Sequence, residues 1–346
     1  MKTLVAISGG AKSLVTAWLL KKQGMQVRGV HLDLFPDEAH RERIHEFERR
    51  LGITIQIMDG GEALQGVLQE EWDRSVEKGF EPDFRTAFFR KLLFPRLIRL
   101  RNELGFDRLA TGHSVNLQDD PSLQIGRIML GADIHFDSIA SLLGIPKEET
   151  FRLLAPIGSI PETMLNRLTE ETAPRELTGI FEHDWAALSS LFDARDPSHF
   201  ARVYQVISSD GVLLGNLQRS SLRIGQIFTD LQGGENKKYR ILDVRPLEGK
   251  ATVQLDSQIK SSELHFFDGL WFSRGDLGLQ ILEVGMLWKK RSRPVPVRLM
   301  QLEGNAFRAT LLEPLSGSDS DIHKGDTVLW CLGSEVLGGA KVLRVR

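Results

Sequence analysis

A short apolar run, "TLVAIS", ends in two glycines and passes at once into a helical pattern, "AKSLVTAWLL". Nothing else in the chain constrains its fold so strongly. A strand-like run feeding directly into a helix, and doing so repeatedly, makes parallel strands covered by helices. The repetition is there. "QVRGVHLDL" reads as a second strand, residues 37–51 as a charged amphipathic helix ending at Gly52, and "ITIQIMD" as a third strand. Helices follow over about 62–78 and 86–104, and "FDRLATGH" (106–113) is a fourth strand running into a turn. The first helix, 11–23, closes at Gly24, a glycine in the position that favours a left-handed cap. In a sheet of this kind, ligands sit at the carboxyl ends of the strands.

The texture changes twice further on. From about 137 to 195 it is helical with Pro and Gly breaks, as in "LLGIPKEETFRLLAPIGSIPETMLNRL". After about 200, short alternating runs ("ARVYQVIS", "KKYRILDV", "ATVQLDS", "TVLWCL") are split by turn signals, which predicts two small barrel-like β units. The expected organisation is a nucleotide-binding α/β domain over 1–136 and a helical extension over 137–200. A small β domain over 201–262 and a C-terminal β-barrel domain over 263–346 follow.

One cysteine, Cys331, limits the chemistry. It excludes an internal disulfide, a CxxC metal site and a cluster held by three or four thiolates. Its setting, "DTVLWCLGSEVLGG", alternates like a strand and predicts a structural thiol. Basic and acidic residues number 24 and 29 over 1–195 and 20 and 17 over 196–346, too mild a shift to indicate nucleic acid by itself. No apolar run is long enough to span a bilayer and no cleavable signal is apparent, so the expectation is a cytoplasmic protein with no membrane partner.

The Ser8-Gly9-Gly10 turn has two readings. Glycines at a helix N-terminus let backbone N–H groups approach an anion, with Ser8 and Ser13 as further donors, which makes a phosphate cradle. Equally, a strand–helix junction uses glycine only to relieve strain. A Walker A loop is excluded, since it needs glycines where Ala6 and Ala11 stand.

The turn resembles the SGGxDS loop (PP-loop) of enzymes that split ATP between its α and β phosphates. "LATGHS" (109–114) resembles the ATGH segment of the tRNA-specific 2-thiouridylase family, MnmA/TrmU. In register with it, "EPDFRTAFFRKLLF" (81–94) falls on the family's TPNP…CN..IKF segment, and "LLAPIGSIPETMLNRL" (153–168) resembles its PLG-type helix start. "LRIGQIFTDLQGG" (222–234) is similar to its YTIGQRKGL hairpin, and "GDTVLWCLGSEVLGGAKVL" (325–343) to its closing strands. The resemblance implies an ATP-pyrophosphatase α/β domain of the HUP type followed by two small β-barrel-like domains. It implies ATP as cofactor, tRNA as partner, and a wobble uridine adenylated at its 2-oxygen before a cysteine persulfide delivers sulfur. It places nucleotide contacts at Ala6, Ser8, Gly9, Gly10, Lys12, Ser13, Leu32, Gly112 and His113, though His113 reads equally as a turn histidine capping local backbone.

The chain departs from that pattern at the points that carry the chemistry. The loop acid, which normally helps organise magnesium and the triphosphate, is Lys12. A lysine cannot ligate a metal but can neutralise a phosphate as a point charge. The family's catalytic cysteine falls on Phe88, with Phe89 for the following asparagine, and its second cysteine on Phe181 in "LTGIFEHD". The KDQS-like stretch that meets the target base is "HFDS" (135–138), which keeps Asp137.

Two basic clusters bear on RNA. "RTAFFRKLLFPRLIRLR" (85–101) holds Arg85, Arg90, Lys91, Arg96, Arg99 and Arg101 with no acid, and either lies as a solvated face or meets RNA backbone. "WKKRSRPVPVR" adds Lys289, Lys290, Arg291, Arg293 and Arg298, on the counterpart of a basic strand in the family's terminal barrel. Trp271 and Trp288 are expected in the core. Three functions are open: a degenerate paralogue that binds nucleotide or tRNA without sulfur transfer, an active adenylating transferase served by an external sulfur-carrier protein or sulfide, and a small-molecule ATP pyrophosphatase. The residues favour the first.

Overall fold

The protein is described from a computed structural model over residues 1–34, 38–130, 136–172, 202–218, 222, 224, 226–229, 237–258, 261–272, 281–289, 293–315 and 322–345. The chain divides into two compact units. The first comprises residues 1–68, 85–183 and 334–337, the second 69–84, 184–333 and 338–346.

The first unit is built on a parallel sheet in the order β3-β2-β1-β4-β7. Its strands are β1 (Lys2–Ala6), β2 (Gln26–Asp33), β3 (Ile55–Asp59), β4 (Arg108–Ala110) and β7 (Leu153–Leu154). The helices α1 (Ala11–Lys22) and α2 (Glu38–Leu51) cover one face, and Val5, Ile7, Leu14, Ala17, Leu20, Ile44, Phe47, Leu51, Ile55 and Ala110 form its core. Val15 on α1 packs instead with Ile157 and with Leu165 of α8 (Glu162–Thr172), so α1 is apolar on two sides. That accounts for a helix whose residues from Ser13 to Ala17 are buried without an exposed break.

The sheet order carries a consequence for function. The chain leaves β1 toward β2 and β3 on one side and returns to β4 on the other, so the order reverses between β1 and β4. In open α/β sheets the ligand crevice lies at such a switch point, at the strands' carboxyl ends. The segments that occupy this position are Ser8–Gly10 after β1 and Thr111–Ser114 after β4.

The helix expected over 86–104 is three segments. After α3 (Gly61–Lys78) come α4 (Phe84–Phe88), a π-helical turn at Phe89–Leu93, and α5 (Phe94–Glu103). The π turn is closed by the Phe94 N–H donating to the Phe89 carbonyl. Its cause is sequence-local: Pro95 at the start of α5 has no N–H to continue the ladder. A hairpin of β5 (Asn116–Asp120) and β6 (Ile125–Met129) follows the β4 turn, in a stretch given no strand from sequence. The helical stretch expected from 137 contains α6 (Phe136–Ser141), α7 (Lys147–Thr150) and α8 among its described residues.

The second unit contains two sheets. One has the order β10-β11-β12-β8-β9, with β8 (Val203–Ser208), β9 (Leu213–Gln218), β10 (Ile227–Thr229), β11 (Lys238–Arg245) and β12 (Lys250–Leu255) around Tyr204, Val206, Ile241, Val244 and Val253. The other closes on itself. β13 (Ser261–Trp271), β16 (Phe307–Leu315), β15 (Val295–Gln301), β14 (Ile281–Trp288), β17 (Thr327–Leu332) and β18 (Glu335–Val345) run in that order, and β18 pairs back onto β13. Closure leaves no edge to protect. Trp271, Phe307, Phe266 and Trp330 pack together in it, with Phe307 and Trp330 ring centroids 4.6 Å apart. Trp288 is buried as expected, and Trp271 is partly buried.

Within this unit a charged network fixes residues 69–84. The fully buried Glu71 carboxylate accepts from Arg74 Nη2 at 2.6 Å, from the Asp83 amide at 3.2 Å and from Lys341 Nζ at 3.4 Å, and Arg74 also donates to Asp268. A buried charge is tolerated when it is paired and hydrogen-bonded in this way.

Candidate functional site

The residues that define the candidate site converge from three directions. From β1 comes the loop Ser8-Gly9-Gly10, where Gly9 has φ +87°. A side chain is barred there twice over, by the left-handed backbone and by His40, whose Cε1 would lie 2.6 Å from a Cβ. The loop is knit by its own hydroxyls. The Ser13 Oγ donates to the Gly10 carbonyl at 2.8 Å and accepts from the Ser8 N–H at 3.2 Å, while the Gly10 N–H donates to Ser8 Oγ at 3.2 Å. Ser13 is 3% exposed, so its hydroxyl proton shapes the loop rather than facing outward. Gly10 caps α1 with no side-chain bond, and the first turn of the helix carries no acid.

From β4 comes Thr111-Gly112-His113-Ser114. Gly112 lies so close to the start of α1 that a Cβ would sit 2.9 Å from the Ser13 amide nitrogen, which requires glycine there. This contact brings the two loops together. Lys12 spans them, its exposed ammonium donating to Ser114 Oγ at 3.2 Å. Beside it, His113 Nδ1 is 3.0 Å from Thr111 Oγ1, and the ring packs against Phe89 and Phe94 at 5.1 and 5.9 Å between centroids. Burial, with smaller contributions from Arg85 and then Lys12, pushes the His113 pKa down to about 4, so the imidazole is neutral at physiological pH.

The third contribution is the α4–π–α5 segment. Phe88 is 6% exposed and its ring meets that of Phe89 at 5.1 Å. Arg85 lies over the Phe89 ring at 6.0 Å and faces Asp137 of α6 at 3.6 Å. The stem of Arg90 packs on Gly144. The rest of the basic run is engaged elsewhere: Arg96 donates to the Asp59 carbonyl at 2.8 Å and Arg99 pairs with Glu103 at 3.5 Å. Arg101 is 1% exposed and bonded to Glu149 and Asn102. The run is therefore no uniform basic face. Arg85 lies by His113 at the switch point, Arg90 packs against Gly144, and Arg101 belongs to the core.

The structure thus gathers Ser8, Gly9, Gly10, Lys12, Ser13, Gly112, His113, Arg85 and Asp137 around one end of the sheet, with Ala6 at the end of β1 and Leu32 in β2 beside Gly60. Lys289 and Arg293 belong to the second unit, and Arg298 pairs with Glu283 at 3.0 Å. Phe181, Lys290 and Arg291 lie outside the described residues. Cys331 is 1% exposed in β17, and burial pushes its thiol up to about 12.

Sequence reasoning missed a polar cluster behind the loop. His31 Nδ1 donates to the Ile7 carbonyl at 2.8 Å, which leaves its Nε2 as an acceptor 3.0 Å from His40 Nε2. Both rings are buried, tilted 53° to one another with centroids 4.7 Å apart, and burial lowers the His31 pKa against the smaller opposing effects of Ile7 and Asp33. Asp33 is held by Arg41 Nε at 2.7 Å, and its other oxygen, buried, has no hydrogen-bond partner. The only sequence signal was histidine at the end of one strand and again in the first turns of the following helix.

Sheet order and loop geometry define the class: an α/β domain of the PP-loop type, its glycine turn at the β1–β4 switch point, followed by β domains. The family model described as "tRNA methyl transferase HUP domain" matches residues 1–176, and the chain belongs to that family. Among its curated relatives, the tRNA-specific 2-thiouridylase MnmA of Geobacter metallireducens is 24% identical over 98% of this chain and 95% of its own. That of Nitratiruptor is 23% identical over 99% of each, and that of Syntrophomonas wolfei 30% identical over 46% of each. At 22–24% identity over nearly its whole length to several of these enzymes, the chain is a divergent relative. Among solved structures, a predicted subunit of tRNA methyltransferase from Methanocaldococcus jannaschii is 18% identical, with a TM-score of 0.36 over 57% of this chain and 88% of that one.

The residues do not fit a magnesium ion at the loop. The side chain expected to be a carboxylate is an ammonium, and no group of three His, Cys, Asp or Glu side chains among the described residues is placed to hold a metal.

Proposed function

We propose that the protein is a degenerate paralogue of the tRNA 2-thiouridylases that binds nucleotide and tRNA but performs no persulfide sulfur transfer of its own. One observation carries this reading. Phe88, at the position of the sulfur-carrying cysteine, is packed into an aromatic cluster with Phe89, Phe94 and His113, while the single thiol of the chain is buried in the other unit and held protonated. A thiol carrier must be reachable and able to ionise, and Cys331 is neither.

The binding half of the proposal rests on the approach of the two loops at the switch point and on Arg85 beside His113, with Arg90 and Lys91 following Arg85 in the basic run. Ala6, Ser8, Gly9, Gly10, Lys12, Ser13, Leu32, Gly112 and His113 would take the nucleotide. In this arrangement residues 1–136 bind nucleotide and 137–200 extend that domain. The 201–262 β domain and the barrel over 263–346, with Lys289, Lys290, Arg291 and Arg293, lean on RNA phosphates.

The test is single-turnover incubation of the purified chain with unmodified tRNA, ATP and a persulfide donor, read by mass spectrometry of tRNA nucleosides. No 2-thiouridine is expected. Its formation would overturn the proposal and favour the adenylating enzyme served by an external sulfur carrier, for which the persistence of both loops is the supporting observation.

A further inference from the structure

We infer that Lys12 takes the place of the divalent cation, so that this site binds a nucleoside triphosphate as the metal-free polyanion. The inference rests on the reading of the switch-point loops as a nucleotide site and specifies the charge state of what they bind.

The argument is one of charge and position. Lys12 stands in the first turn of α1, where backbone N–H groups and the helix dipole already favour an anion. Among the described residues its exposed ammonium has one hydrogen bond, to the neutral Ser114 Oγ at 3.2 Å, and no ion pair with a carboxylate, so it is held between the two loops with its charge uncompensated by them. Arg85 also acts on His113 but faces the Asp137 carboxylate at 3.6 Å, so the positive charge left to a triphosphate at this point is that of Lys12. A triphosphate entering this field finds fixed positive charge where related chemistry would require a mobile dication. The same field opposes a magnesium complex, because the ion would be brought against an ammonium with no acid in the first turn of α1 to ligate it. Lysine binds phosphate as a compact point charge with three donors, which suits a replacement for an ion rather than a bidentate clamp.

Isothermal titration of the full chain with ATP decides the matter, run once in EDTA and once in excess magnesium, with AMP as the short-phosphate control. Wild-type protein is expected to bind ATP in EDTA and to lose about tenfold or more in apparent affinity when magnesium sequesters the nucleotide. Lys12→Gln is expected to weaken binding in EDTA by at least tenfold, Lys12→Arg by much less, and Lys12→Asp to bind only with magnesium. Because Lys12 is exposed, the variants should melt with the wild type, and a melt confirms that each is folded. Tighter wild-type binding in magnesium, an unweakened Lys12→Gln, or no ATP binding in either buffer overturns the inference. No ATP binding in either buffer would also remove the nucleotide half of the proposed function, whereas the other two outcomes leave it standing. A chain that binds magnesium–ATP yet leaves tRNA unthiolated loses only this inference, and one that thiolates tRNA loses the other.

Discussion

At the scale of single residues, His113 sets the pH behaviour of the site. Its ring is enclosed by Phe89 and Phe94 and faces two cations, and its pKa falls from the usual 6.5 to about 4. A histidine depressed in the folded state favours folding only while it is neutral. Its contribution is complete above pH 6.5, is lost progressively between 6.5 and about 4, and levels off below. Denaturant unfolding at pH 7, 5.5 and 4.5 should show this loss, and His113→Gln should flatten it across that window. A variant with the wild-type slope would mean that other groups carry the acid sensitivity. Buried His31, also lowered, adds a loss of the same sign, so the comparison must be made on the difference between the two proteins.

At the scale of elements, the glycine turn and the start of α2 are built as one piece. Gly9 at φ +87° exists because the ring of His40 lies against it and because Ser8 and Ser13 close the loop behind it. Gly9→Ala must both enter the left-handed region and displace His40 from its bond to His31. We expect a loss of about 1–3 kcal/mol in stability, measured by chemical denaturation, together with weakened ATP binding. Legibility from sequence also divides at this scale. Strands β1 to β4, α1, α2 and the Gly24 and Gly52 stops could be read from periodicity, because each is decided by neighbours within a few residues, whereas the two-residue β7 falls in a stretch expected to be helical. The π turn at Phe89–Leu93 could not, since a proline at a helix start is ordinarily accommodated with no π turn before it. The β5–β6 hairpin also escaped notice. Its sequence, "NLQDDPSLQIGRIM", alternates weakly, and its register is set in part by pairing with Glu335 and Val336, more than 200 residues away.

For the molecule as a whole, the placement of Cys331 is the fact that most restricts function. It is 1% exposed in β17 of the closed barrel, between Trp330 and Leu332, with its thiol pushed up to about 12. Modification by a thiol reagent should be negligible in the native protein at pH 8 and should follow global unfolding of the barrel unit as denaturant is raised. Rapid labelling under native conditions would show that the thiol is reachable and would reopen sulfur chemistry for this chain. The sequence by itself determined the α/β class of the N-terminal part, the β character of the remainder, and the absence of a second thiol. Those follow from local periodicity and from composition, which no tertiary contact can alter. Only the tertiary structure decided that β1 and β4 are neighbours, that Lys12 therefore reaches Ser114, and that Arg101 lies in the core while Arg85 faces the site. Each of these depends on which segments distant in sequence are packed together, and a list of residues carries no distance between them.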